Sequence, residues 1–343
     1  MKIGELRDFI KTHNKEQLEY LVAELYKLIP NDKKVDYNID EWIQHPSDKN
    51  EKKGVKKPVK TNKIRNIQEI AKEVESFCSN AYAQNYLLPN QSISKKERPK
   101  WRFVVKSLYM EIQAALDAGN HPLACVKELE KLYEVMTYAC DWQLFSAYDS
   151  FESMGIGQSE FFRKLVTLYR NNKDLNDFIR ESIRLIIDNP LNRYTLYSEL
   201  IEIFIAQCNT NDLLALCFEQ VGIIRKDVLQ EPEKESVVLS YSKGNKNEMS
   251  YAKREKLNNL TEIGFKAKVN LFEYEIAIAF FYEHYIERDP EVKLYILVSL
   301  LFDNQLKSHI VSEIESNKGL KPRKTLLNLL QYIKVNDDLP KYM

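Results

Sequence analysis

Glycine constrains this chain more than any other residue: there are nine in 343, where an average soluble protein carries about 7 %. Phosphate-cradling loops, tight hairpins and β-bulges all draw on glycine, because it enters positive φ without steric cost. Such scarcity disfavours most nucleotide-binding and all-β architectures. It leaves helices joined by short connections.

The apolar spacing agrees. After Pro99, residues Val104, Val105, Leu108, Tyr109, Ile112, Ala115 and Leu116 recur at three and four and form one helical stripe, with Gly119 placed to end it. His121 to Tyr138 repeats the theme through Leu123, Val126, Leu129, Leu132, Tyr133 and Met136. Ser159 is placed to cap a helix carrying Phe161, Phe162, Leu165, Val166 and Tyr169, and Asp174 to cap one carrying Phe178, Ile179, Ile183, Ile186 and Ile187. Asn14 with Gln17 forms a capping-box variant ahead of Leu18, Leu21, Val22, Leu25 and Leu28. Pro99, Pro122, Pro190, Pro290 and Pro322 read as helix starts, where a missing N–H costs nothing. Phe272, Ile276, Ala279, Phe280 and Tyr282 cover most faces of one helix, which predicts a central, buried element.

The expected fold class is therefore all-α: stacked antiparallel helix hairpins forming an irregular α-solenoid or a multi-helix bundle. A small helical element is expected over residues 1–45, a lysine-rich linker over 46–63, a helical body over 64–335 and a tail over 336–343. A polar insertion at about 230–258 interrupts the body, with a short strand and turn expected at Val237–Asn245. Helix pairs of roughly 35 to 45 residues have the period of helical-repeat arrays. The segment Asp289-Pro290-Glu291-Val292-Lys293, followed by Leu294, Leu297 and Leu300, resembles the opening of a HEAT-type helix. The resemblance is generic, without a consensus at fixed spacing, and it implies an interaction scaffold.

Fifty basic residues balance fifty acidic ones, so no global field steers the chain to nucleic acid or to an anionic membrane. No apolar run approaches the ~20 residues of a spanning helix, and the charged N-terminus lacks a secretory h-region. A cytoplasmic protein is expected. Cys78, Cys125, Cys140, Cys208 and Cys217 are odd in number and lie in apolar contexts without C-x-x-C spacing, which predicts buried thiols in a reducing compartment. The five histidines include no metal-binding spacing, so neither metal nor cofactor is expected. His284 stands out only for its neighbours Glu283, Glu287 and Arg288.

Two segments carry candidate function. Residues 141–157 combine Trp142, Phe145, Tyr148, Asp149, Phe151 and Glu152 with Gly155 and Gly157, a composition suited to a binding loop. Trp142, Tyr148, Asp149 and Glu152 are its candidate contacts. The plainer reading is that Asp149 or Ser150 caps a short helix over a core of aromatics. The second segment is the lysine run, with Lys52, Lys53, Lys56, Lys57, Lys60 and Lys63 as candidate phosphate contacts. No aromatic interleaves them, and a solvated, protease-sensitive linker is the favoured reading.

The functional expectation is a scaffold for an unidentified protein partner, with an exposed row from Arg193, Tyr194 and Tyr197 as its mark. Nucleic-acid binding through the lysine run is the alternative, and an enzyme with a site at 141–157 a more distant one.

Overall fold

A computed structural model of the protein describes residues 10–30, 34, 39–44, 65–232 and 249–343. The lysine run and the expected strand at 237–245 lie outside the described residues. Those described are helical throughout, with no strand among them. Two compact units divide at Ile64 and Arg65.

The first unit holds α1 (Lys15–Leu28) and α2 (Ile39–Gln44). The expected capping box is formed: Asn14 Oδ1 accepts from the Gln17 N–H at 2.9 Å, and Gln17 Oε1 accepts from the Asn14 N–H at 3.0 Å. Two of the orphan donors of a helix start are thereby satisfied. The Tyr26 hydroxyl donates to Asp40 at 2.5 Å and ties α1 to α2.

The second unit runs through α3 (Ile67–Tyr82), α4 (Trp101–Asp117), α5 (Pro122–Asp141), α6 (Ser150–Met154), α7 (Gln158–Asn172), α8 (Leu175–Ile187), α9 (Tyr197–Gln207) and α10 (Asn211–Gln230). It continues through α11 (Tyr251–Asn270), α12 (Tyr274–His284), α13 (Pro290–Asp303), α14 (Lys307–Ser316) and α15 (Lys324–Asn336). Helices α3, α5, α7, α9 and α11 pack each against the next of that series, with α4, α8 and α10 laid alongside. Most contacts are thus made to the next helix and the next but one, the arrangement short connections favour, while α8 also reaches α11.

Local chemistry sets most of these boundaries. Asp174 caps α8 by accepting from the N–H groups of Asn176 and Asp177, both at 3.0 Å. Pro122 and Pro290 stand at the first turn of α5 and α13. Two expectations fail. The α7 cap position is Gly157 rather than Ser159, because the chain turns helical at Gln158, whose side chain is buried. Pro190 opens a loop rather than a helix, and α9 begins seven residues later at Tyr197, after an Asn192 turn described below.

The expected buried helix is displaced by one element. Phe272 is 77 % exposed and Ile276 half exposed, because α11 ends before them and α12 begins at Tyr274. The enclosed helix is α11, whose first turns fall in the segment read as a polar insertion. Ser250 starts it by accepting from the Lys253 N–H. Leu257, Leu260, Ile263 and Ala267 join the core shared with α3–α10, while Phe265 and Val269 join a second core with α12–α15. Apolar residues on both sides erase the amphipathic stripe. Gly264 lets α12 approach: a Cβ there would stand 2.6 Å from the Phe280 ring.

Several polar residues of α11 are answered from neighbouring elements, while buried Asn259 Nδ2 has no partner among the described residues. Arg225 of α10 donates to the Leu257 carbonyl at 3.0 Å, to Thr261 Oγ1 at 3.1 Å and to the His284 carbonyl at 2.7 Å. Asn258 donates to the Ile286 carbonyl and accepts from the Ile286 N–H. Lys266, 2 % exposed, pairs with Glu202 of α9. Further on, Glu291 and Arg323 form a bidentate pair joining α13 to the start of α15. His284 meets Phe280 edge-on at 4.6 Å, and burial followed by Arg225 holds its pKa below the ordinary imidazole value.

With glycine scarce, other residues take the left-handed positions that end helices. Gln84, Phe272 and Gln305 have φ of 57°, 61° and 59°. Each completes a paired carbonyl closure: the N–H of Gln305 reaches Phe302 at 2.9 Å and that of Leu306 reaches Leu301 at 2.9 Å. A side chain in this conformation costs about 1–2 kcal/mol. Phe272→Gly and Gln305→Gly are therefore each expected to raise the unfolding free energy by about 0.5–1 kcal/mol after glycine's entropy cost, read as a higher denaturation midpoint.

Half-buried Glu262 of α11 supplies a pH dependence. Burial foremost, with Glu255 and Asp303 adding to it and Lys266 opposing, pushes its pKa from 4.5 up to about 7. Between those values the folded chain holds a proton that the unfolded chain has released, so stability falls as pH rises from about 4.5 to 7 and levels above. Glu262→Gln is expected to flatten that fall and to leave the variant more stable by about 1–3 kcal/mol at pH 8, measured by urea unfolding at stepped pH.

Candidate functional site

The connection from α5 to α7 brings candidate residues to the surface on an apolar base. α5 closes with the Trp142 N–H donating to the Tyr138 carbonyl at 2.8 Å. Leu144 and Phe145 then turn inward, and Phe145 stacks on buried Trp101 with centroids 3.9 Å apart. Asp149 Oδ1 accepts from the Glu152 N–H at 2.9 Å and caps α6. Ser150, fully buried, donates to the Met136 carbonyl at 2.6 Å, with Cys140 Sγ at 3.3 Å. α6 stops at Gly155, whose φ of +74° closes the helix. Phe151 fills the core against Tyr133 and Phe161.

The four candidate contacts separate into two places. Asp149 and Glu152 border a groove of about 550 Å³ with Gln158, Glu160, Arg163, Asn192, Tyr194, Thr195 and Glu199. Its floor is polar and hydrogen-bonded. Gln158, 1 % exposed, accepts from the Asn192 N–H at 3.0 Å and donates to the Pro190 carbonyl at 3.3 Å. Asn192 Oδ1 accepts from the N–H groups of Tyr194 and Thr195 at 2.8 and 2.9 Å. One oxygen, Asp149 Oδ2, is buried without a hydrogen-bond partner. Four carboxylates and one arginine give the groove an acidic character, suited to a cationic side chain. Arg193 bonds the Tyr194 hydroxyl, which with Glu152 and Asp149 nearby raises its pKa.

Trp142 and Tyr148 do not border the groove. Tyr148 stands out in solvent, 85 % exposed. Trp142 stacks on Tyr138 with centroids 6.3 Å apart and planes 16° apart, and Tyr138 meets Tyr82 edge-on at 5.4 Å. All three are exposed. They form a solvent-facing aromatic ladder across the ends of α3 and α5.

Of the expected row, Arg193 and Tyr194 are exposed and stacked, cation over ring at 4.5 Å. Tyr197 is half-buried against the core. Lys52, Lys53, Lys56, Lys57, Lys60 and Lys63 lie outside the described residues. Among those described, no cluster of three or more His, Cys, Asp or Glu is arranged to hold a metal ion. The floor residues Gln158 and Asn192 were not singled out by sequence. Asn two residues before Tyr194 was the available sign, since Asn readily accepts from the backbone two residues on.

The cap makes a direct test. Asp149→Ala is expected to cost about 1 kcal/mol, whereas Asp149→Asn, which keeps an accepting oxygen, should remain within about 0.5 kcal/mol of the parent, both read by chemical denaturation.

No known protein family matches this chain, and neither a curated protein nor a solved structure resembles it at a significant level.

Proposed function

We propose that this protein is a scaffold: an irregular helical-repeat array that docks a protein partner on the aromatic ladder Tyr82–Tyr138–Trp142. The carrying observation is that three large aromatic side chains are in mutual contact and all stay exposed. Exposed Tyr and Trp present wide, stiff contact area at low entropic cost, and such residues dominate binding hot spots. Singly scattered apolar residues need no explanation, but a contiguous set does.

The stacked helices supply a rigid base for such a surface. Five free cysteines, four of them buried, favour a reducing compartment such as the cytoplasm. Among the described residues no helix is long and apolar enough to cross a membrane.

Trp142→Ala combined with Tyr138→Ala tests the reading. Affinity recovery of the tagged protein after nuclease treatment is expected to retain a stoichiometric partner. The double variant should lose it at least tenfold while circular dichroism and the melting midpoint stay close to those of the parent. Trp142→Phe should retain most of it. A partner held equally by the double variant, or none held by the parent, sinks the proposal.

A further inference from the structure

We infer that a basic strip leading into α4, Lys95, Lys96, Arg102 and Lys106 around Phe103, is a binding track for single-stranded nucleic acid. The strip shares no residue with the aromatic ladder and does not rest on the scaffold reading.

Residues 95–106 hold six basic side chains, Lys95, Lys96, Arg98, Lys100, Arg102 and Lys106, against one acidic side chain, Glu97. Lys100 neutralises Glu97 at 2.8 Å. Arg98 is half-buried and donates to the Ile93 carbonyl. Lys95, Lys96, Arg102 and Lys106 remain exposed, and no carboxylate among the described residues pairs with them. This matters in a chain of zero net charge, where unpaired cations gathered in twelve residues create a local positive field.

Phe103 lies within this stretch of sequence. It projects from the outer face of α4 at 61 % exposed, while its neighbours Trp101 and Val105 point into the core. The Arg102 guanidinium lies 5.0 Å from its ring centroid, leaving a ring that can receive a base. Further along α4, Glu111 is neutralised by Arg65 at 2.8 Å. The first turn of α4 has no acidic residue and no side-chain cap, so its N–H dipoles add to the same field.

A stacking ring beside a line of cations is what a single strand requires: phosphates along the track, and an unpaired base on the aromatic face. A duplex keeps its bases stacked on each other and gains nothing from Phe103. An anionic membrane would need a wider apolar face than Phe103, Val104 and Met110 offer. Arg and Lys spread along a strip, rather than converging on one point, also fit a chain of phosphates better than a single phosphoryl group.

The test is fluorescence anisotropy of the full chain with labelled twenty-nucleotide oligo(dT) and oligo(U), at salt from about 50 to 200 mM. Engagement of four phosphates predicts a slope of log K against log salt of about −3. Phe103→Ala is expected to weaken binding about fivefold to a hundredfold with that slope unchanged. Lys95→Glu with Lys96→Glu and Lys106→Glu should reduce the slope to about −1, with circular dichroism confirming the fold. Trp142→Ala should bind as the parent does. The inference is overturned if the parent binds neither oligonucleotide, or if binding is the same in the strip variants, which assigns it to another basic segment. It is also overturned if duplex of equal length binds as tightly and Phe103→Ala has no effect, or if the parent prefers phosphatidylserine vesicles to oligonucleotide.

Discussion

Enclosing α11 from Leu257 to Val269 is the constraint from which the larger unit follows. Where it is enclosed, α11 needs partners for the polar groups it carries inward, since an unpaired buried donor or acceptor costs about 1–3 kcal/mol; Asn259 Nδ2 is left without one among the described residues. Arg225, drawn from α10, answers Leu257, Thr261 and the end of α12 together. Asn258 holds the chain leaving α12 by its backbone. These bonds fix where α10 and α12 lie against α11, and packing of Gly264 on Phe280 fixes how closely. The position is polar in sequence because the bonds are polar.

The same fact explains what the sequence revealed and what it hid. α4, α5 and α8 were legible because one face of each meets solvent and the three–four spacing survives. Helix ends were legible where a cap used a side chain at standard offset, as at Asn14 and Asp174, or a glycine in the left-handed region, as at Gly119. α11 was not, because a helix buried all round has no stripe, and its polar opening resembled an insertion. At the candidate site, Asp149 as a cap could be read from its place before a short apolar turn. The division of Trp142 from Asp149 into a ladder and a groove could not, since it depends on Tyr138 and Tyr82 arriving from two other helices. The basic residues at 95–106 were not singled out in the sequence, where the longer lysine run drew attention.

Scarcity of glycine also has a reason in the architecture. Helix ends need left-handed residues only when the chain must reverse at once, and here several reversals are made by glutamine, phenylalanine and aspartate. The strain at each is carried by the packing around it.

Because α11 lends side chains to both cores, neither can dissolve while the other stays whole. A chain whose contacts are otherwise made between near neighbours would be free to melt piecemeal, as stacked arrays do when one joint is weak. The shared helix opposes that freedom by coupling the two regions, so a disturbance at α15 lowers the stability felt at α7 rather than appearing only as local fraying.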